Sequence, residues 1–104
     1  MDEGGLQFYN FCIMQERIEC VIRGRVQMVL FRDFAKRKAD ELGLVGSVQN
    51  MPDGSVNVAA EGEEEKLKQF IELLKKGPLL ARVDDVLVKW PEPQSKFHNF
   101  QIIF

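Results

Sequence analysis

The order of apolar patterns along these 104 residues predicts an α+β fold on the split-βαβ, ferredoxin-like plan, βαββαβ, with an antiparallel sheet and two helices on one face. Three observations predict it. Two segments repeat their apolar residues at three and four and stop at glycine, short alternating segments flank them, and a Pro-Asp-Gly turn joins two of the alternating segments directly.

Ile18, Cys20 and Ile22 alternate with Glu19, Val21 and Arg23, giving a first strand one apolar face. Gly24 opens a short turn, after which Phe31, Phe34, Ala35, Ala39 and Leu42 mark an amphipathic helix stopped by Gly43. Its other side carries Asp33, Lys36, Arg37, Asp40 and Glu41, so the Lys36-Arg37-Lys38 run reads as a solvated face rather than a phosphate patch. Residues 45–50 form a second strand and 55–61 a third, where Val56, Val58 and Ala60 share a phase, and Met51-Pro52-Asp53-Gly54 closes the hairpin. The second helix runs from Glu63 to Lys76, with acids in its first turn, lysines in its last, Leu67, Phe70, Ile71 and Leu74 on one side, and a Gly77-Pro78 stop. Val86, Val88 and Trp90 mark a fourth strand, and Phe100, Ile102 and Phe104 a last one.

With 45% apolar residues, one domain of this length can build a core without a metal or disulfide. Cys12 and Cys20 lack CxxC spacing and a nearby histidine, and Cys20 falls on the apolar phase of its strand, so both read as reduced thiols. Fourteen basic against sixteen acidic residues leave a net charge of −2, which disfavours a nucleic-acid partner held through many phosphates. The third strand has no aromatic residue on which RNA bases could stack. Residues 1–14 hold no lysine or arginine, and their apolar run from Phe8 is interrupted at Asn10, which is neither a secretory signal nor a membrane span. They read as an irregular extension ahead of a domain over 15–104. A cytoplasmic monomer with no membrane partner is the expectation.

The split-βαβ plan serves many unrelated purposes, so the functional reading must come from particular residues. Gly24-Arg25-Val26-Gln27-Met28-Val29-Leu30-Phe31-Arg32 leads from a strand pattern straight into a helix pattern. Such a turn is a candidate anion cradle, because successive backbone N–H groups, the positive helix end and the two-pronged Arg32 can converge on one negative group. Arginine is electrostatically disfavoured at a helix N-terminus unless an anion sits there, though a surface carboxylate could be that anion. Asn50 follows in Gly46-Ser47-Val48-Gln49-Asn50-Met51-Pro52-Asp53-Gly54, where it is equally ordinary turn chemistry. The lone His98 lies far from both segments in sequence, and no catalytic triad or Cys/His pair suggests itself.

Together the two segments resemble the signature of the acylphosphatase family, G-x-V-Q-G-V-x-F-R and G-W-V-x-N-x-x-x-G. The resemblance extends over residues 16–104 through Leu42-Gly43-Leu44, Gly54-Ser55-Val56, Glu61-Gly62 and Arg82-Val83-Asp84. It implies hydrolysis of small-molecule acyl phosphates to carboxylate and inorganic phosphate, with no metal, other cofactor or phosphoenzyme. It also implies that Arg32 binds the phosphate together with the loop amides of Val26, Gln27, Met28, Val29, Leu30 and Phe31, while Asn50 orients the attacking water. Chemistry on such a substrate is mainly a matter of positioning, since the leaving group is already good. Two positions depart from the pattern. Met28 stands where the family has glycine, at a strain of about 1–2 kcal/mol if φ must be positive there. Ser47 stands for the usual tryptophan, and the expectation is that it removes apolar bulk beside the site. The competing reading is a non-catalytic module of the same fold that binds an anion or a protein.

Overall fold

In the computed structural model, which describes residues 15–104, the elements run β1 (Gln15–Arg25), α1 (Phe31–Glu41), β2 (Val45–Asn50), β3 (Val56–Glu63), α2 (Glu64–Lys76), β4 (Arg82–Lys89) and β5 (Phe100–Ile103). The extension expected over residues 1–14 lies outside the described residues. Each helix and strand anticipated from the pattern is present, with most ends displaced by one or two residues, though β1 and β4 begin three and four residues before the first residue of their patterns. Leu42 caps α1 instead of extending it, and Trp90 falls just beyond β4.

The sheet order is β4-β1-β3-β2-β5. Four strands pair antiparallel, as expected, but β5 lies parallel to β2, from Gly46↔Phe100 to Gln49↔Ile103, so the completed sheet is mixed. The physical reason is the connection. Residues 90–99 carry the chain from the β4 edge across to the opposite edge, where β5 enters in the same direction as β2.

Both helices pack against the sheet and touch each other, which puts them on one face. Between them and the sheet lies one core. Ile18, Cys20 and Ile22 of β1, Val56, Val58 and Ala60 of β3, and Val48 of β2 meet Phe31, Ala35 and Ala39 of α1 and Leu67, Phe70 and Leu74 of α2. Phe70 and Phe100 meet edge to face, with ring centroids 5.9 Å apart, which ties the edge strand β5 to α2. Burial pushes the Cys20 thiol up to about 12, in keeping with a packed hydrophobe rather than a reactive sulfur.

One buried ion pair secures the long connection into β5. Arg17 Nη1 donates to Glu61 Oε2 at 2.8 Å, and the Gln94 and Ser95 backbone N–H groups donate to the same carboxylate at 2.8 and 3.1 Å. Arg17 also donates to Glu19 and stacks against the Phe97 ring, 5.5 Å from its centroid. Burial alone would raise the Glu61 carboxyl, but the Gln94 N–H, Arg17 and the Ser95 N–H outweigh it and hold it below its ordinary value. Breaking this pair strands a buried guanidinium, so Glu61→Gln is expected to lower unfolding stability by about 3 kcal/mol at neutral pH in urea titrations. A depressed pKa stabilises the fold above the ordinary carboxylate range and ceases to do so as pH falls through the lowered value. The deficit of Glu61→Gln relative to wild type therefore narrows on acidification.

Candidate active site

The turn between β1 and α1 begins with a register shift between Arg23 and Gly24, where the end of β1 bends away from the plain ladder with β4. Gly24 has φ 132°, and a Cβ there would run into the Arg82 carbonyl oxygen, so only glycine fits. Val26 and Phe31, both fully buried, pin the two ends of the turn into the core. Between them the backbone turns left-handed twice, with φ 62° at Met28 and 63° at Leu30. Met28 thus occupies the conformation its glycine counterpart would favour, and each of these two residues carries about 1–2 kcal/mol of backbone strain.

The Gln27 side chain opposes that strain. Its Nε2 donates to the Met51 and Ser55 carbonyl oxygens at 2.8 and 2.9 Å, tying the turn to the β2–β3 hairpin. The hairpin is itself rigid. Asp53 Oδ1 accepts from the Ser55 N–H and hydroxyl at 2.9 and 2.6 Å, and these bonds hold the exposed carboxyl below its usual range. No backbone carbonyl among the described residues takes the N–H of Gln27, Met28, Val29 or Leu30. These donors adjoin the free N–H groups of the first turn of α1, which sharpens the positive potential there.

Sheet register brings Asn50 to the same place. Val56 of β3 faces Ile22 of β1 on one side and Asn50 of β2 on the other, so the end of β2 lies level with Ile22, three residues before β1 ends. Parallel pairing aligns the end of β5 with the end of β2, and delivers Ile102 and Phe104 to the same edge. Gly46 permits this register at its other end, because a Cβ there would strike the Ala59 carbonyl of β3.

The result is an open cavity of about 440 Å³. Arg32 and Asn50 line it together, with Val26, Met28, Leu30 and Phe31 from the turn, Asp33 from α1, and Ile102 and Phe104 from the end of β5. The Arg32 guanidinium lies against the Phe104 ring, 4.7 Å from its centroid. No carboxylate among the described residues pairs with it. Asp33, its neighbour, is bound to Arg37 at 3.0 Å instead, so the surface ion pair that could have explained Arg32 is not formed. Asn50 Oδ1 is buried and has no donor. An orphaned acceptor beside an unneutralised guanidinium and a row of free amides can take one bound anion and one water.

Two features were not evident from sequence. The reach of Gln27 to the hairpin had no pattern to announce it, and Phe104 read only as the last alternating residue of a strand. Ser47 corrects an expectation. It does not line the Arg32 cavity; with Glu19, Val21, Gln49, Asn57 and Leu87 it lines a separate hollow on the open face of the sheet, because alternation along β2 sends it away from the helices.

The fold and cavity define a class: a small ferredoxin-like α+β protein with a left-handed turn and a cavity between its first strand and first helix. A model of the acylphosphatase family matches residues 18–102. An acylphosphatase of Thermus thermophilus is 53% identical over 76 residues, covering 73% of this chain and 86% of that protein. Among solved structures, the acylphosphatase of Bacillus subtilis superposes with a TM-score of 0.83 at 36% identity, over 86% of this chain and 99% of that one. That of Coxiella burnetii does so with a TM-score of 0.84 at 31% identity, over 88% and 95%. The chain belongs to the acylphosphatase family.

If Met28 is strained as its backbone shows, Met28→Gly relieves more than the added unfolded-state freedom costs. Thermal or urea unfolding is expected to show a gain of about 1 kcal/mol.

Proposed function

We propose that this protein hydrolyses small-molecule acyl phosphates to carboxylate and inorganic phosphate, with Arg32 and Asn50 as its catalytic residues and the 26–31 turn as its phosphate-binding loop. The observation that carries this reading is the pairing, in one cavity, of an unneutralised Arg32 with the donorless Asn50 Oδ1.

The turn's amides and the Arg32 guanidinium bind the phosphoryl oxygens and offset the charge they carry in the transition state. Asn50 Oδ1 accepts a hydrogen bond from a water and aims its oxygen at phosphorus, opposite the acyl oxygen. The water O–P bond forms as the acyl O–P bond breaks. The electron pair of that bond leaves on the carboxylate, and the water's proton passes to the phosphate product or to solvent. A carboxylate is a good enough leaving group to need no general acid, and asparagine needs no shifted pKa for this task. Charge neutralisation comes from arginine and amides, so no metal is assigned a role.

Met28 does not close the cradle to a substrate. Its side chain is almost wholly in solvent, 99% exposed, so it stands at the mouth without filling the cradle, and its backbone keeps the left-handed turn.

Hydrolysis of an aryl acyl phosphate, assayed in the presence of a chelator, is expected to proceed well above background. Arg32→Ala should reduce kcat/KM by about a hundred- to a thousandfold. Asn50→Ala should lower kcat while leaving inhibition by inorganic phosphate largely in place. A wild-type rate at background together with retained phosphate binding would replace this reading with the non-catalytic, anion-binding one.

A further inference from the structure

Much of the cavity's lining is apolar and exposed. Met28, Leu30 and Phe104 are 99%, 75% and 93% exposed, yet all three line the hollow that holds Arg32 and Asn50, and Ile102 lines it with them. Large apolar side chains left in water around a polar centre mark a ligand or partner contact. Arg32 is the only cation among the lining residues, and the one lining carboxylate, Asp33, is paired with Arg37. A phosphate bound there occupies that single cation. The group attached to the phosphate then meets a lining with no second cation, where Met28, Leu30 and Phe104 can cover a hydrocarbon.

We propose that this site selects acyl phosphates whose acyl group is apolar, aryl or branched or extended aliphatic, over acetyl phosphate and over acyl groups bearing a second carboxylate, with Met28 and Phe104 as the specificity-determining side chains. This rests on the acyl phosphate reading above. The replacement of glycine by Met28 then has a use: the residue that strains the turn also supplies part of the apolar wall that receives the acyl group. Methionine suits such a wall, since its flexible thioether chain adapts to ligands of different outline. Phe104 adds a rigid ring that flanks Arg32 within the same lining.

Binding and turnover are measured separately, so that the two readings fail differently. Benzylphosphonate and methylphosphonate, which carry no scissile bond, are titrated against the full chain while the amide signals of residues 27–32 are followed by NMR, with inorganic phosphate as reference. Benzylphosphonate is expected to bind about tenfold more tightly than methylphosphonate. That ratio should fall towards one in Met28→Asn, which tolerates the left-handed backbone but removes the apolar chain, and in Phe104→Ala, and should persist in Met28→Leu. Equal affinities in wild type, or a ratio untouched by Met28→Asn and Phe104→Ala, would overturn the proposal. In parallel, kcat/KM for benzoyl phosphate is compared with those for acetyl and succinyl phosphate, and the same order of preference is expected. Turnover of all three without discrimination would overturn apolar selectivity and leave hydrolysis standing. No turnover of any, with the phosphonate ratio intact, would overturn hydrolysis and leave the selectivity standing.

Discussion

The structure of the candidate site depends on one backbone constraint, the double left-handed turn that links β1 to α1. Val26 and Phe31 are locked in the core on either side of it, and the residues between them must reverse the chain in that short span while keeping their N–H groups unspent. Both outcomes follow from positive φ at Met28 and Leu30. A relaxed turn would let those amides fold back onto neighbouring carbonyls, and the proposed anion site would vanish with them. The fold tolerates a few kcal/mol of local strain here because the two flanking anchors and the Gln27 side chain over-determine the path.

The sheet then converts that local geometry into a shared site. The Val56 register sets the end of β2 level with Ile22 of β1, and the parallel β5 brings its own end to the same edge. These are consequences of core packing, not of local chemistry near Arg32. The Arg17–Glu61 pair matters in the same indirect way, because it fixes residues 94 and 95 and so the entry of the chain into β5. A buried ion pair is a poor source of net stability, but one that also ties down loop backbone restricts where the following strand can go.

Much of this was legible in the sequence because strong periodicity and clean stops leave little room for error. The Ile18-Cys20-Ile22 alternation, the three-and-four spacing from Phe31, and the Gly77-Pro78 stop each had a single good reading. Arg32 stood out as a candidate as well, since a cation at a positive helix end is a local contradiction that calls for an anion. Asn50 was ambiguous, because the same residue serves a turn; what distinguishes it is a buried, donorless Oδ1, a fact of three dimensions. The parallel direction of β5, the tether from Gln27 and the wall formed by Phe104 all depend on contacts between residues distant in the chain, to which local pattern is blind. Ser47 misled for a related reason. Its nearness to Asn50 in sequence suggested nearness to the site, but alternation along β2 turns it to the opposite face.

The central claim is that a methionine in the glycine position leaves the anion cradle formed. A crystal structure of the protein grown with inorganic phosphate tests it most directly. The account predicts a phosphate in the cavity between β1 and α1, within hydrogen-bond distance of the amides of residues 27–31 and of two of the three Arg32 guanidinium nitrogens, with positive φ retained at Met28 and Leu30 and a water on Asn50 Oδ1. A turn relaxed to negative φ at Met28, with its amides bonded internally and the phosphate absent or bound elsewhere, would contradict it.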